Sequence, residues 1–147
     1  MVTIKLILND CTTNEIIDYL LTQEGIIDVK RKEIDYVHEL EIKHNDKITP
    51  SIILKFVNLF QNNTYSILLE FDKETKENVN KFSYVVDDLC CEYCYMNLVE
   101  ELFENKYIKS VKSNYNITTP AVNIEFIIEY NGEYSKEDII KFIEERK

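Results

Sequence analysis

The 147 residues of this chain include 17 lysines and arginines against 27 aspartates and glutamates, a net charge of −10. Such a balance works against nucleic acid and anionic membrane surfaces, whose phosphates it would repel. Two glycines, two prolines and 45% hydrophobic residues exclude a disordered, collagen-like or loop-dominated disulfide scaffold and leave enough apolar material for a core.

Val2-Thr3-Ile4-Lys5-Leu6-Ile7-Leu8 alternates as a strand. It has neither the basic segment nor the cleavage site of an export signal, and no run reaches the roughly 18–20 apolar residues of a membrane span. A soluble, cytoplasmic protein is expected. A helix follows over residues 13–24, with Gly25 placed for a left-handed C-terminal cap. Residues 27–33 and 36–43 read as strands joined by a hairpin near Ile34-Asp35, since residues 27–43 are too many for one strand. Thr49-Pro50 opens a second helix over 50–60, a capping hydroxyl followed by proline at the first helical position. A strand over 65–71 closes the first half.

Residues 73–81 are charged and polar with one apolar side chain, and are expected to be a linker. After it the same order begins again with a strand over 82–86. At one constant offset Ile16, Ile17, Leu20, Leu21, Ile26 and Val29 fall opposite Leu98, Val99, Leu102, Phe103, Ile108 and Val111. A lengthened turn at residues 116–120 intervenes. A second offset then matches Thr49, Ile53, Phe56 and Val57 to Ser135, Ile139, Phe142 and Ile143. Ser135 and Asp138 have the spacing of a capping box.

This pattern predicts an α+β protein of two tandem ferredoxin-like βαββαβ sandwiches, residues 1–72 and 82–147. The second lacks an evident fourth strand, because only Phe142-Ile143-Glu144-Glu145-Arg146-Lys147 remains where the first half continues into a strand. An open edge beside residues 82–86 is therefore expected, through which a homo-oligomer could form.

The chemistry gathers at Cys90-Cys91-Glu92-Tyr93-Cys94, on the turn from that strand into the next helix. Free backbone N–H groups and the positive end of the helix dipole favour thiolate there. Four cysteines in a reducing compartment point to metal or redox chemistry in preference to structural disulfides. Two thiolates three positions apart can converge on one soft ion. Cu(I) accepts two or three such ligands, whereas structural Zn(II) wants four. A zinc site would need Asp87, Asp88, a remote histidine or a partner.

From about residue 85 to 145 the chain resembles the heavy-metal-associated domain, the module of copper chaperones and of the cytosolic tails of metal-transporting P-type ATPases. That family carries a Gly-Met-x-Cys-x-x-Cys turn, apolar residues four and eight positions after the second cysteine, and a later Gly-Val-x-x-Val segment. Here the turn is Asp88-Leu89-Cys90-Cys91-Glu92-Tyr93-Cys94, followed by Leu98 and Leu102, and Tyr107-Ile108-Lys109-Ser110-Val111 stands at the later segment. Asp88 replaces glycine, Leu89 replaces methionine, and Cys90 is an additional thiol. The resemblance implies Cys91 and Cys94 as the metal pair, with Cys90 either a third ligand or a core residue. It implies Cu(I) as cargo, with Zn(II) or another soft divalent ion as the alternative. A metal-transporting ATPase or another metal donor or acceptor would be the partner. In the first half Asn9 and Thr12 stand where the paired cysteines would be and lone Cys11 falls opposite Tyr93, so that copy is a degenerate one.

Function is thus expected to be metal binding and transfer by ligand exchange, without an enzymatic step. Two other readings compete: an interaction module that binds no metal, and a thiol-disulfide oxidoreductase, against which stand the lack of tryptophan and of a proline near the motif. Among neighbouring residues, Tyr93 and Tyr95 read as solvent-facing, His38 and His44 as exposed strand-end residues, and Asp87 and Asp88 as turn-formers. Glu100, Glu101 and Glu104 read as a solvated helix face.

Overall fold

A computed structural model describes residues 1–8, 13–34, 37–60, 67–75, 78–87, 89, 92–115 and 123–147. In chain order these form β1 (Val2–Leu8), α1 (Thr13–Leu21), β2 (Ile26–Ile34), β3 (Val37–His44), α2 (Pro50–Asn58), β4 (Ile67–Asp72), β5 (Val79–Val86), α3 (Glu92–Glu104), β6 (Ile108–Ser113), β7 (Ile124–Asn131) and α4 (Lys136–Arg146). The chain divides into two compact units, Met1–Leu68 and Leu69–Lys147.

In the first unit β3 pairs antiparallel with β1, from Val2↔His44 to Leu8↔His38, and with β2, where a bulge lies between Ile26 and Asp28. Alternation in β1 sends Ile4, Leu6 and Leu8 inward, where they meet Leu40 and Ile42 of β3 in full burial. α1 contributes Ile16 and Leu20, and α2 contributes Ile53 and Val57, each pair one turn apart and wholly buried. Thr49 caps α2 by accepting from the Ile52 N–H, with Pro50 in the first turn. Tyr19 of α1 packs edge-on to Phe56 at 5.6 Å between ring centroids. Gly25 ends the turn after α1 at φ +98°, and its carbonyl accepts from the Asn45 N–H at 2.9 Å.

In the second unit β7 is flanked by β5, over eight unbroken pairs from Val79↔Asn131 to Val86↔Ile124, and by β6. Its own alternation buries Ile124, Phe126, Ile128 and Tyr130. α3 lays Tyr95, Leu98, Val99 and Leu102 against them, and α4 adds Ile139 and Ile143. Both helices share one sheet face. Phe126 stacks with Tyr95 of α3, and Tyr84, directly opposite Phe126 in the register, hydrogen-bonds Glu144 of α4. Ser135 and Asp138 complete the expected capping box on α4.

The expectation of two separate sandwiches is not met. The strands form one seven-stranded sheet in the order β2-β3-β1-β4-β6-β7-β5, and every described register is antiparallel. Phe71 and Asp72 of β4 pair with Val111 and Ser110 of β6. β4 was expected to close the first sandwich, but from Leu69 onward it lies in the second unit. Its Phe71 ring meets Phe103 of α3 edge-on at 5.1 Å. Hydrophobic alternation fixes which face of a strand is buried but leaves open which free edge it meets. The expected linker is partly strand as well, since β5 begins at Val79. Among the described residues no helix is long and apolar enough to cross a membrane.

Candidate functional site

β5 runs into the cysteine segment through buried Val86, exposed Asp87 and buried Leu89, and α3 begins at Glu92. Val86 and Leu89 both belong to the buried core. Cys94 stands in the first turn of α3 and is half-buried. Its backbone thus lies at the positive end of the α3 dipole. Cys11, Asp88, Cys90 and Cys91 lie outside the described residues.

Cys94 is disulfide-bonded. This departs from the expectation of free thiols, which rested on four cysteines in an expected reducing compartment. Proximity of two sulfurs permits the bond, whereas the redox potential of the surroundings decides whether it persists. In this oxidised form the sulfur has no lone thiolate to offer a metal. Exchange with an external dithiol, which gives up two electrons and two protons and becomes a disulfide itself, would break the S–S bond and release two thiols.

The start of α3 is anchored by Tyr95, the residue after Cys94. It was expected to face solvent, yet it is wholly buried. Its hydroxyl donates to the Leu69 carbonyl oxygen at 2.8 Å and shares a 2.5 Å contact with Ser113 Oγ. Its ring stacks on Tyr115 at 4.2 Å and 17°. Burial pushes the phenol well above its ordinary range, and the Ser113 hydrogen bond pulls back only in part. α3 is thereby tied at its first turn to both β4 and β6. Tyr95 lies three and four positions before Leu98 and Val99, so its place on the apolar face was present in the spacing.

The histidines are less exposed than expected of strand-end residues. His44 does end β3, but it is 1% exposed, with Nδ1 2.9 Å from the Asn45 carbonyl oxygen. Desolvation holds its pKa below the usual histidine value, the backbone contacts to Asn45 and Ile48 opposing. Nε2 of His44 and Nδ1 of His38 are buried without a hydrogen-bond partner among the described residues. Both histidines belong to the first unit. Among the described residues no group of three or more His, Cys, Asp or Glu side chains could hold a metal ion.

On the outer side of α3, Glu101 and Glu104 are exposed as expected, with Glu101 paired to Arg146 of α4 at 2.6 Å. Glu100 is half-buried, and burial followed by the charge of Glu104 raises its pKa. Lys73, in the expected linker, went unnoticed in the sequence. Its Nζ lies 4.9 Å from the centre of the Phe103 ring and donates to the Asn105 carbonyl oxygen at 3.1 Å. Desolvation, then the charge of Lys109, lowers its pKa to about 8.

No family model and no curated protein matches this chain.

Proposed function

We propose that the reduced protein binds one soft monovalent ion, Cu(I), between Cys91 and Cys94, and passes it to the thiols of a donor or acceptor protein such as a metal-transporting ATPase. The observation that carries this reading is the disulfide at Cys94. A sulfur able to form one has a second cysteine within side-chain reach, which is what a two-coordinate dithiolate requires. Placement in the first turn of α3, at the positive end of the helix dipole, supports the thiolate form of the reduced residue. Assigning Cys91 as the other ligand rests on the C-x-x-C spacing and on the resemblance it carries.

Transfer would be ligand exchange. An incoming thiolate adds to the ion while the first pair still holds it, and no covalent bond of a substrate changes. Cu(I) suits two sulfurs, whereas Zn(II) would need two further donors. Native mass spectrometry of the reduced protein with Cu(I) tests the proposal. One bound ion is expected for the wild type and none for the Cys91→Ser/Cys94→Ser variant. Binding that survives in that variant defeats the assignment.

The same disulfide favours a second reading, a thiol-disulfide couple that exchanges with other proteins' thiols. Reduction of insulin at a catalytic rate, lost on Cys94→Ser, would favour it over metal transfer.

A further inference from the structure

We propose that a second copy of this chain docks antiparallel on the outer edge of β5, with the two strands centred on Tyr84. β5 stands last in the strand order, paired with β7 alone among the described residues. The sheet's two ends differ in how they are defended. At the other end β2 carries a bulge at Ile26/Asp28 and the charged run Lys30-Arg31-Lys32-Glu33. Both are devices that discourage edge pairing. β5 has an unbroken eight-residue register, no proline and a single charged residue, Lys81.

The strand is also complementary to itself. Lys81, Ser83, Val85 and Asp87 alternate along one face and are all exposed, Val85 by 52%. An antiparallel copy related by a two-fold axis at Tyr84 sets Lys81 opposite Asp87 of the second copy, and Asp87 opposite its Lys81. Ser83 then meets Val85, Phe82 meets Val86, and Tyr84 meets its counterpart. Opposite charges and aromatic or β-branched pairs are the cross-strand neighbours that stabilise sheets. Shifting the register by one pair in either direction loses both charge pairs. Each chain has a charge of −10, so like chains repel at long range. Physiological salt screens that repulsion beyond about 8 Å and leaves the close Lys81–Asp87 contacts in force.

Sedimentation velocity of the reduced full chain, over concentrations rising to the high-micromolar range, tests this. The wild type is expected to move towards twice its 17.5 kDa mass. Lys81→Asp and Asp87→Lys should each weaken association about tenfold or more, because each creates two like-charge contacts per dimer. The doubly reversed chain, and an equimolar mixture of the two single variants, should recover it. Circular dichroism of each variant separates lost association from lost folding. A wild type that stays monomeric throughout, a dimer indifferent to both reversals, or one that forms only without reductant would overturn the proposal.

Discussion

Replacing Tyr95 with phenylalanine removes one oxygen from the joint that holds the first turn of α3. The ring has room to stay stacked between Tyr115 and Phe126, so little apolar contact is lost. What goes are the hydrogen bonds to the Leu69 carbonyl and to Ser113 Oγ. Ser113 Oγ still accepts from the Tyr115 N–H at 3.3 Å, whereas the Leu69 carbonyl loses a buried donor. At about 1 kcal/mol net per hydrogen bond, with a further cost for a stranded acceptor, the loss should be about 2 kcal/mol. For a cooperative unit the size of the second, Leu69–Lys147, that is a fall of roughly 8–16 °C in Tm. Urea unfolding followed by far-UV circular dichroism reads it, and only the transition carrying the second unit should shift. Tyr95→Leu should cost more, since the aromatic stack contributes about 0.5–1.5 kcal/mol per pair beyond its area. A Tyr95→Phe protein within about 0.5 kcal/mol of the wild type, inside the range of an ordinary surface change, would refute the argument.

Gly25→Ala should destabilise the first unit by about 1–3 kcal/mol by differential scanning calorimetry, because φ is +98° and the added Cβ would stand 2.9 Å from Ile48 Cγ2. Ser135→Ala, which removes the acceptor for the Asp138 N–H, should cost about 1 kcal/mol in chemical unfolding. Lys73 sets a pH dependence. Its folded pKa of about 8 lies below the ordinary 10.5, so between these values the unfolded chain binds more proton and stability rises with pH. Lys73→Met should flatten that rise in pH-dependent urea midpoints. Tyr84 and Tyr95, whose pKa values are raised, pull stability down only above about pH 10, where unfolded tyrosine ionises first.

The elements were legible because each is written in local spacing. Thr49-Pro50 and Ser135 mark helix starts with their own side chains, Gly25 marks a left-handed end, and alternation in residues 2–8 declares a strand. What could not be read depends on distant partners. Ile26 and Val29 repeat as Ile108 and Val111, yet the first two are half-buried and the latter pair wholly buried. The difference is that β2 ends the sheet while β6 lies between β4 and β7. No residue in β4 announces that β6 will take its edge, since backbone pairing carries little side-chain code. Tyr95 was misplaced because its hydroxyl reads as a surface group until Leu69 and Ser113, far along the chain, are brought beside it. His44 misleads in the same way, its polar ring satisfied in part by a backbone carbonyl. At the candidate site, the position of Cys94 in the first turn of a helix was legible. Its oxidation state was not, because that is set by the surroundings as much as by sequence.

Soft-metal binding at the start of α3 is tested most directly by X-ray absorption at the copper edge on reduced protein loaded with one equivalent of Cu(I). Two sulfur neighbours, lost in Cys94→Ser, are the expected first shell. A shell of nitrogen or oxygen, or one that Cys94→Ser leaves unchanged, would contradict it.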